Sequence, residues 1–257
     1  NLTRESALGT PLDPRTPAVD MSKACATSLE TVIHVSNRIQ LGQIDSGIAC
    51  GVDSASDSPI EVTPRLRRIL HRAFAAKTAM QRVKAFSAIR PADLAPVPPR
   101  NGEPRTGLSM GEHQALTTAQ WGVTRQEQDE LALASHKNLA AAYDAGFFDD
   151  LVTGYRGLSR DQNLRADSTL EKLGSLKPVF GAKSPQVAEP SMTAGNSTPL
   201  SDGASSVLMG SAEWAAERGL TPLARVVDAR SAAVDYVHGD EGLLMAPAYA
   251  VPELLDA

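Results

Sequence analysis

The sequence predicts an α/β domain that is interrupted by a long inserted segment. Residues 17–53 show a strand, helix and strand pattern of about 35 residues, which is the size of a βαβ unit. Regular strand and helix patterns return only at residues 205–227. From residue 57 to residue 189 the pattern is irregular, and we therefore expect this part to be an excursion inserted into the α/β domain.

The first block is organised around one amphipathic helix. Residues 17–21 suit a short strand, and a helix from Cys25 to Leu41 is predicted by apolar residues that recur on one face until Gly42 ends it. Residues 44–52 then predict a buried strand. Every second residue of this strand is small, namely Gly47, Ala49 and Gly51.

The inserted segment has three distinct parts. Residues 64–90 carry eight Lys or Arg and no Asp or Glu on an apolar framework, and we call them the basic segment. Residues 91–106 are rich in proline and indicate a loop. A helix is predicted from Thr124 to Tyr143, because Thr124 and Glu127 form a capping box and Gly146 follows the helix.

The second block predicts a strand at residues 205–209, a helix from Ala212 to Arg218 that Gly219 ends, and a strand from Leu223 to Val227. Because the chain starts and stops within helical patterns and has no initiator Met, we expect a fragment that is cut at both ends.

Composition favours an ordinary globular protein of the cytoplasm. The chain is 42% hydrophobic and 21% charged with a net charge of −5, so nucleic acid is not an expected partner. No apolar run approaches the roughly 18 residues of a transmembrane segment, and we expect no signal peptide. The two cysteines are expected to be reduced thiols rather than a disulfide framework.

Cys25 is the candidate nucleophile. It lies between a predicted strand and the first turn of a helix, where free backbone amides stabilise a thiolate and can donate to an oxyanion. The alternative is a buried cysteine that only fills space. Cys50, in the middle of a predicted strand, is expected to be a core residue.

The histidines offer no clear partner for Cys25. His34 lies on the same helix, about 13 Å away at 1.5 Å per residue, which is too far for a hydrogen bond. His113 and His238 could reach a site, although local bonding or solvation is the simpler interpretation. His71 falls in the basic segment and His136 on the exposed side of the capped helix, and no histidine has the spacing of a metal site.

Six segments of the chain carry a resemblance to a known family. They are Lys23-Ala24-Cys25-Ala26-Thr27-Ser28, the glycine-rich strand 49–54, Ser109-Met110-Gly111, the capped helix from Arg125 to His136, residues 165–180, and the turn-rich loop 193–204. In this order they resemble the thiolase family over essentially the whole chain. The segment Asn196-Ser197-Thr198-Pro199-Leu200 most resembles the corresponding segment in the branch of the fatty-acid-oxidation 3-ketoacyl-CoA thiolases and the trifunctional-complex β-subunit.

The resemblance implies the thiolase fold, in which two βαβαβαββ halves form α-β-α-β-α layers and a loop domain is inserted in the first half. By this comparison only the start of the second half is present. It divides the chain into an incomplete N-terminal thiolase domain (1–56 and 190–212), the inserted loop domain (57–189) and the start of the C-terminal domain (213–257).

The resemblance also implies the chemistry. Cys25 would accept the acyl group in thiolytic cleavage of 3-ketoacyl-CoA, or in the reverse Claisen condensation of acetyl-CoA, with CoA as a substrate and no cofactor or metal. The implied CoA-binding residues are Met110, Arg165, Phe180, Ala194 and Thr198. The implied partners are further copies of the chain, as a homodimer or homotetramer, and a hydratase/dehydrogenase subunit.

Three segments of the family pattern are missing from the chain: the Gly-His-Pro histidine, the Asn/His-Glu-Ala-Phe segment and a second catalytic cysteine. We expect them in a part of the protein beyond residue 257. Two other functions stay open, a β-ketoacyl synthase and a non-catalytic thiolase-like protein that binds CoA or lipid. The basic segment has three interpretations: a solvated face, a surface for a partner subunit, or a contact with an anionic membrane.

Overall fold

The computed structural model describes residues 1–99 and 101–257, which contain nine α-helices and two β-strands. The helices are α1 (Leu2–Leu8), α2 (Thr27–Gln40), α3 (Pro64–Ala75), α4 (Ala79–Phe86), α5 (Met110–Gln120), α6 (Arg125–Asp144), α7 (Leu170–Gly174), α8 (Ala212–Glu217) and α9 (Ala246–Leu255). The strands are β1 (Ser46–Asp53) and β2 (Gly203–Gly210).

The chain forms two compact units. The first consists of Asn1–Asp57, Ser201–Arg230 and Asp256–Ala257, and the second of Ser58–Leu200 and Ser231–Leu255. The three-domain division suggested by the sequence stays a prediction. The proline-rich loop predicted for residues 91–106 includes residue 100, which lies outside the described residues; Pro91–Leu94 within it forms a short 3₁₀ helix.

The first unit is built on an antiparallel pair of strands. β1 and β2 pair from Ser46 opposite Gly210 to Asp53 opposite Gly203. Both strands were predicted, and so was α2, which ends before Gly42 at a φ of +66°. Glycine adopts this left-handed conformation without the steric cost that a side chain would bring.

The predicted strands at residues 17–21 and 223–227 are wrong, and with them the βαβ unit. A strand needs a neighbour that pairs with its backbone N–H and C=O groups. Residues 17–21 are instead held through a side chain, since Asp20 Oδ1 accepts a hydrogen bond from the Thr3 amide at 2.8 Å. Leu223 is 98% exposed, and its segment joins no sheet among the described residues.

The second unit is mainly helical. Its apolar cluster joins Ala115 of α5 to Val187 and Met192, with Leu116 and Phe180 packed against them. Within residues 1–99 and 101–257, no helix is both long enough and apolar enough to cross a membrane.

α6 confirms the helix predicted from its capping signal. Thr124 Oγ1 accepts from the amide of Glu127 at 3.3 Å, and Glu127 Oε2 accepts from the amide of Thr124 at 2.8 Å. This backbone hydrogen bond from Thr124 lowers the pKa of the Glu127 carboxyl. Gly146, at a φ of +71°, follows the end of the helix as expected.

Candidate functional site

Cys25 stands in a tight turn immediately before α2. The turn is closed by two hydrogen bonds, from the Ala26 amide to the Lys23 carbonyl at 3.0 Å and from the Thr27 amide to the Ala24 carbonyl at 3.2 Å. Ala24 has a φ of +44°, in the left-handed region that costs a non-glycine residue about 1–2 kcal/mol. The turn leaves Cys25 exposed.

The N-terminus of α2 has no side-chain cap. The Thr27 hydroxyl accepts from the Lys23 amide and donates to the Ala24 carbonyl, both at 2.8 Å, so it stabilises the turn. In the part of the chain that the structure describes, the amides of Ser28 and Leu29 have no hydrogen-bond partner. These donors and the helix dipole make the surroundings of Cys25 favourable for negative charge.

Two glycines of β1 allow α2 to pack close to the strand. A Cβ on Gly51 would overlap Ser28 Oγ and lie 2.8 Å from Ser28 Cβ, and a Cβ on Gly47 would lie 3.0 Å from Val35 Cγ1. The Thr31 hydroxyl also donates to the Cys50 carbonyl at 3.0 Å. The helix that follows Cys25 therefore rests almost directly on the strand backbone.

Cys50 is not the core residue that the sequence predicted. Its side chain is exposed, because it points away from α2 on the same face as Ile48 and Val52, which are 45% and 59% exposed. Desolvation nevertheless raises the pKa of the Cys50 thiol. Cys50 therefore has less thiolate at neutral pH than an ordinary cysteine.

Three of the predicted CoA-binding residues lie on adjoining segments of the second unit. Met110 begins α5, and the next residue, Gly111, packs so closely on Phe180 that a Cβ there would lie 2.5 Å from the ring. The chain around Phe180 runs beside the segment that leads to Ala194, since the Val179 amide donates to the Met192 carbonyl at 2.8 Å. Met110, Phe180 and Ala194 thus belong to one packed region.

The loop from Thr193 to Thr198 is held by polar contacts. The fully buried Thr193 accepts from the amide of Gly195 at 3.1 Å through its hydroxyl. Its own amide donates to Asn196 Oδ1 at 2.7 Å. Thr198 is exposed at the end of this ordered turn.

Arg165 is placed differently from the other predicted CoA-binding residues. Its guanidinium donates to the carbonyls of Gln162 and Leu164, and its amide donates to His136 Nδ1 of α6 at 3.3 Å. No hydrogen bond among the described residues joins Arg165 to Met110, Phe180, Ala194 or Thr198. The structure therefore fixes the backbone of Arg165 on α6 and leaves its role in CoA binding as a prediction.

Two of the histidines form hydrogen bonds within the second unit. His113 is buried in α5 and its Nε2 lies 2.8 Å from the Thr106 hydroxyl, which confirms local bonding. His136, assigned to an exposed helix face, supports the Arg165 loop instead. The residues that the structure describes contain no group of His, Cys, Asp or Glu that could hold a metal ion.

Sequence reasoning missed the burial of Asp129. Asp129 of α6 contacts Asn196 across 67 positions of sequence, with Asp129 Oδ1 accepting from Asn196 Nδ2 at 2.9 Å. The only local signal was the spacing of Arg125 and Asp129 by four residues on a helix, which is also typical of exposed ion pairs. Nothing in the sequence shows that this carboxylate is buried.

Comparisons with known proteins identify the family of the chain. The family model for the thiolase N-terminal domain matches residues 1–213. The chain is 42% identical to the 3-ketoacyl-CoA thiolase of Pectobacterium carotovorum subsp. carotovorum (strain PC1) over 258 residues, which cover 98% of this chain and 57% of that protein. The chain belongs to the thiolase family.

Two solved structures are similar to it. The acetyl-CoA acetyltransferase of Bacillus anthracis is 30% identical with a TM-score of 0.73, and the match covers 97% of this chain and 59% of that one. The Acat5 thiolase of Ascaris suum, solved in complex with coenzyme A, is 24% identical with a TM-score of 0.78, and covers 100% and 60%. These matches support the α/β thiolase fold, and the chain spans less than two thirds of each relative's length.

Proposed function

We propose that the protein containing this chain is a 3-ketoacyl-CoA thiolase, an acyltransferase that cleaves 3-ketoacyl-CoA with a second molecule of CoA. One observation carries the proposal. In a chain of the thiolase family, Cys25 is exposed on a strained turn directly before a helix whose first amides have no described partner. A cysteine in this position is suited to act as a thiolate nucleophile.

The reaction begins when the Cys25 thiolate attacks the 3-keto carbon and forms a carbon–sulfur bond. Collapse of the adduct breaks the bond between C2 and C3, and its electron pair leaves with C2, which takes a proton and becomes acetyl-CoA. The thiol of a second CoA then loses its proton, and its sulfur attacks the acyl-Cys25 carbonyl. Breaking the bond to Sγ releases the shortened acyl-CoA and restores the thiolate.

Substrate binding is assigned to the second unit. Met110, Phe180, Ala194 and Thr198 would line the channel for the pantetheine arm, and Arg165 would contact the nucleotide end of CoA. The proposal is supported by the packing of Gly111 on Phe180 and by the exposure of Thr198 at the end of an ordered loop. CoA acts as a substrate, and no cofactor takes part.

The wider setting follows from the same proposal. The protein would act in fatty-acid metabolism in the cytoplasm, as a homodimer or homotetramer, and a hydratase/dehydrogenase subunit could supply its 3-ketoacyl-CoA. The exposed apolar residues of the basic segment support a protein partner at this surface. Phe74, Met80 and Val83 are 81%, 77% and 63% exposed.

Alkylation of the whole protein tests the role of Cys25. Iodoacetamide at neutral pH is expected to label Cys25 faster than Cys50, because the thiolate is the reacting form and desolvation raises the pKa of the Cys50 thiol. Acetoacetyl-CoA should protect Cys25. The rates are read by mass spectrometry of the two peptides. Equal labelling, or labelling that acetoacetyl-CoA does not slow, contradicts the proposal.

The partner surface is tested by reversing charge in the basic segment. Arg65 must be spared, because it pairs with the buried carboxylate of Asp93 at 2.8 Å and therefore stabilises the fold. Arg67, Arg68 and Arg72 are exposed on α3. Changing these three to Glu is expected to reduce the size of the assembly in sedimentation while the thermal unfolding midpoint stays within a few degrees.

The matched control changes the same three residues to Lys, which keeps the charge and should keep the assembly. Loss of binding to anionic liposomes with an unchanged assembly would instead indicate the membrane interpretation. If the Glu variant changes neither property, the basic segment is a solvated face.

A further inference from the structure

A buried carboxylate, paired with an arginine of the same helix, connects α6 to the loop that carries Ala194 and Thr198. Asp129 is 4% exposed, and its Oδ2 accepts from Arg125 Nε at 2.7 Å. Arg125 is itself fixed, because its Nη2 donates to the Leu173 carbonyl at 2.5 Å. The other oxygen of Asp129 accepts from Asn196 Nδ2. The carboxylate thus bridges a guanidinium on its own helix and an amide on the loop.

Asn196 connects this carboxylate to the loop backbone. Its Oδ1 accepts from the Thr193 amide at 2.7 Å, and its Nδ2 donates both to Asp129 and to the Ser191 carbonyl at 3.2 Å. Both amide hydrogens and the oxygen are therefore engaged. These hydrogen bonds fix the orientation of the Asn196 side chain. In the sequence, Asn196 lies midway between Ala194 and Thr198.

A buried charged group is not the most stabilising choice for holding a loop in place. Replacing a buried ion pair with apolar residues of similar size is often neutral or stabilising, whereas removing one partner leaves an uncompensated charge. Hydrogen bonds to a carboxylate are shorter and more directional than those between neutral groups. The Arg125–Asp129–Asn196 arrangement is therefore suited to fixing the position of a loop.

We propose that Asp129, oriented by Arg125, is a positioning residue for CoA binding: through Asn196 it holds the loop from Thr193 to Thr198 in the conformation that receives the pantetheine arm. This inference rests on the proposed thiolase function. Asp129 touches no substrate. It acts through Asn196 and the loop backbone.

Asp129→Asn in the whole protein is the sharpest test. The substitution keeps the shape but removes the charge, and an asparagine cannot accept from both Arg125 and Asn196 without directing its own amide at one of them. We expect the Kd for CoA and the KM for CoA in thiolysis to rise about tenfold. The kcat should change less than twofold, because the lost contact serves ground and transition states alike.

The matched control is Glu130→Gln, on the same helix. Glu130 is exposed, and among the residues that the structure describes its Oε1 accepts from Gln126 on the same helix, so this variant removes one carboxylate without touching the loop. Its affinity for CoA should equal that of the wild type. Arg125→Lys is the second variant, for use if Asp129→Asn does not give folded protein. It keeps the positive charge but loses the planar guanidinium, so a smaller rise in the Kd and KM for CoA is expected.

The results separate the two proposals. If the wild type shows neither CoA binding nor protection of Cys25, the thiolase function and this inference both fail. If the wild type binds CoA and Asp129→Asn binds it equally well, only the inference is overturned. A parallel loss of kcat and thermal stability with an unchanged Kd also overturns it, since that outcome describes a merely structural ion pair.

Discussion

Gly51→Ala is expected to destabilise the whole protein by about 3 kcal/mol and to reduce thiolysis severely. The new Cβ would overlap Ser28 Oγ and lie 2.8 Å from Ser28 Cβ and 3.3 Å from its Cα, so rotation of the Ser28 side chain cannot relieve the overlap. The start of α2 must move away from β1, and such overpacking costs about 1–3 kcal/mol or more. The turn that presents Cys25 moves with it.

The comparison variants make this prediction specific. Gly203→Ala introduces the same methyl group on β2, opposite Asp53, where nothing lies within 4 Å, and it should have little effect. Adding Ser28→Gly to Gly51→Ala removes the overlapping atoms and should recover part of the lost stability and activity. Unfolding midpoints and kcat are the measurements. A Gly51→Ala enzyme with wild-type values would show that α2 does not rest on β1 as described.

Gly111→Ala is expected to raise the KM for CoA about tenfold and to lower stability by about 1–2 kcal/mol. The new methyl would lie 2.5–2.6 Å from three atoms of the Phe180 ring. The ring must rotate out of its position against the cluster of Ala115, Val187 and Met192. Alanine is the better helix former by about 1 kcal/mol, but the steric term is larger.

Gly174→Ala in α7 is the control for this substitution, because a Cβ there meets no atom within 4 Å. It should be neutral or slightly stabilising and leave CoA kinetics unchanged. CoA titrations of thiolysis and thermal unfolding of both variants give the comparison. If Gly111→Ala loses stability but keeps its KM, Phe180 packs in the core without contributing to CoA binding.

Local signals made part of the fold predictable. The capping box of Thr124 and Glu127 and the glycine at position 146 define α6 within a single stretch of chain, and the structure places that helix within one residue of the prediction. α2 was also predictable, because its apolar face and terminal Gly42 are adjacent in sequence, although it begins two residues later than expected. Helix ends are satisfied by neighbouring residues, so a sequence contains most of what defines them.

Strands were less predictable because their hydrogen bonds depend on distant residues. Residues 17–21 and 223–227 have the composition of strands but lack a described neighbour to pair with. Cys50 was assigned correctly to β1, but its side chain was predicted to be buried and is exposed. Alternation along β1 identifies two faces, but the position of α2 decides that Ala49 is covered and Cys50 is not.

The candidate site was also predictable only in part. Cys25 could be proposed from one short segment, because the turn, the helix start and the cysteine are contiguous. Asp129 and Asn196 could not be connected, since their contact joins parts of the chain that are 67 residues apart. A buried aspartate on a polar helix has the same local sequence as an exposed one.

The pairing of β1 with β2 also sets an order of events during protein synthesis. Asp53 pairs with Gly203, which follows it by 150 positions in the chain. At about 5–20 residues per second, a ribosome needs roughly 8–30 s to make that stretch. Throughout this interval β1 lacks the pairing that β2 provides, and the backbone N–H and C=O groups on that side of the strand are available to other chains.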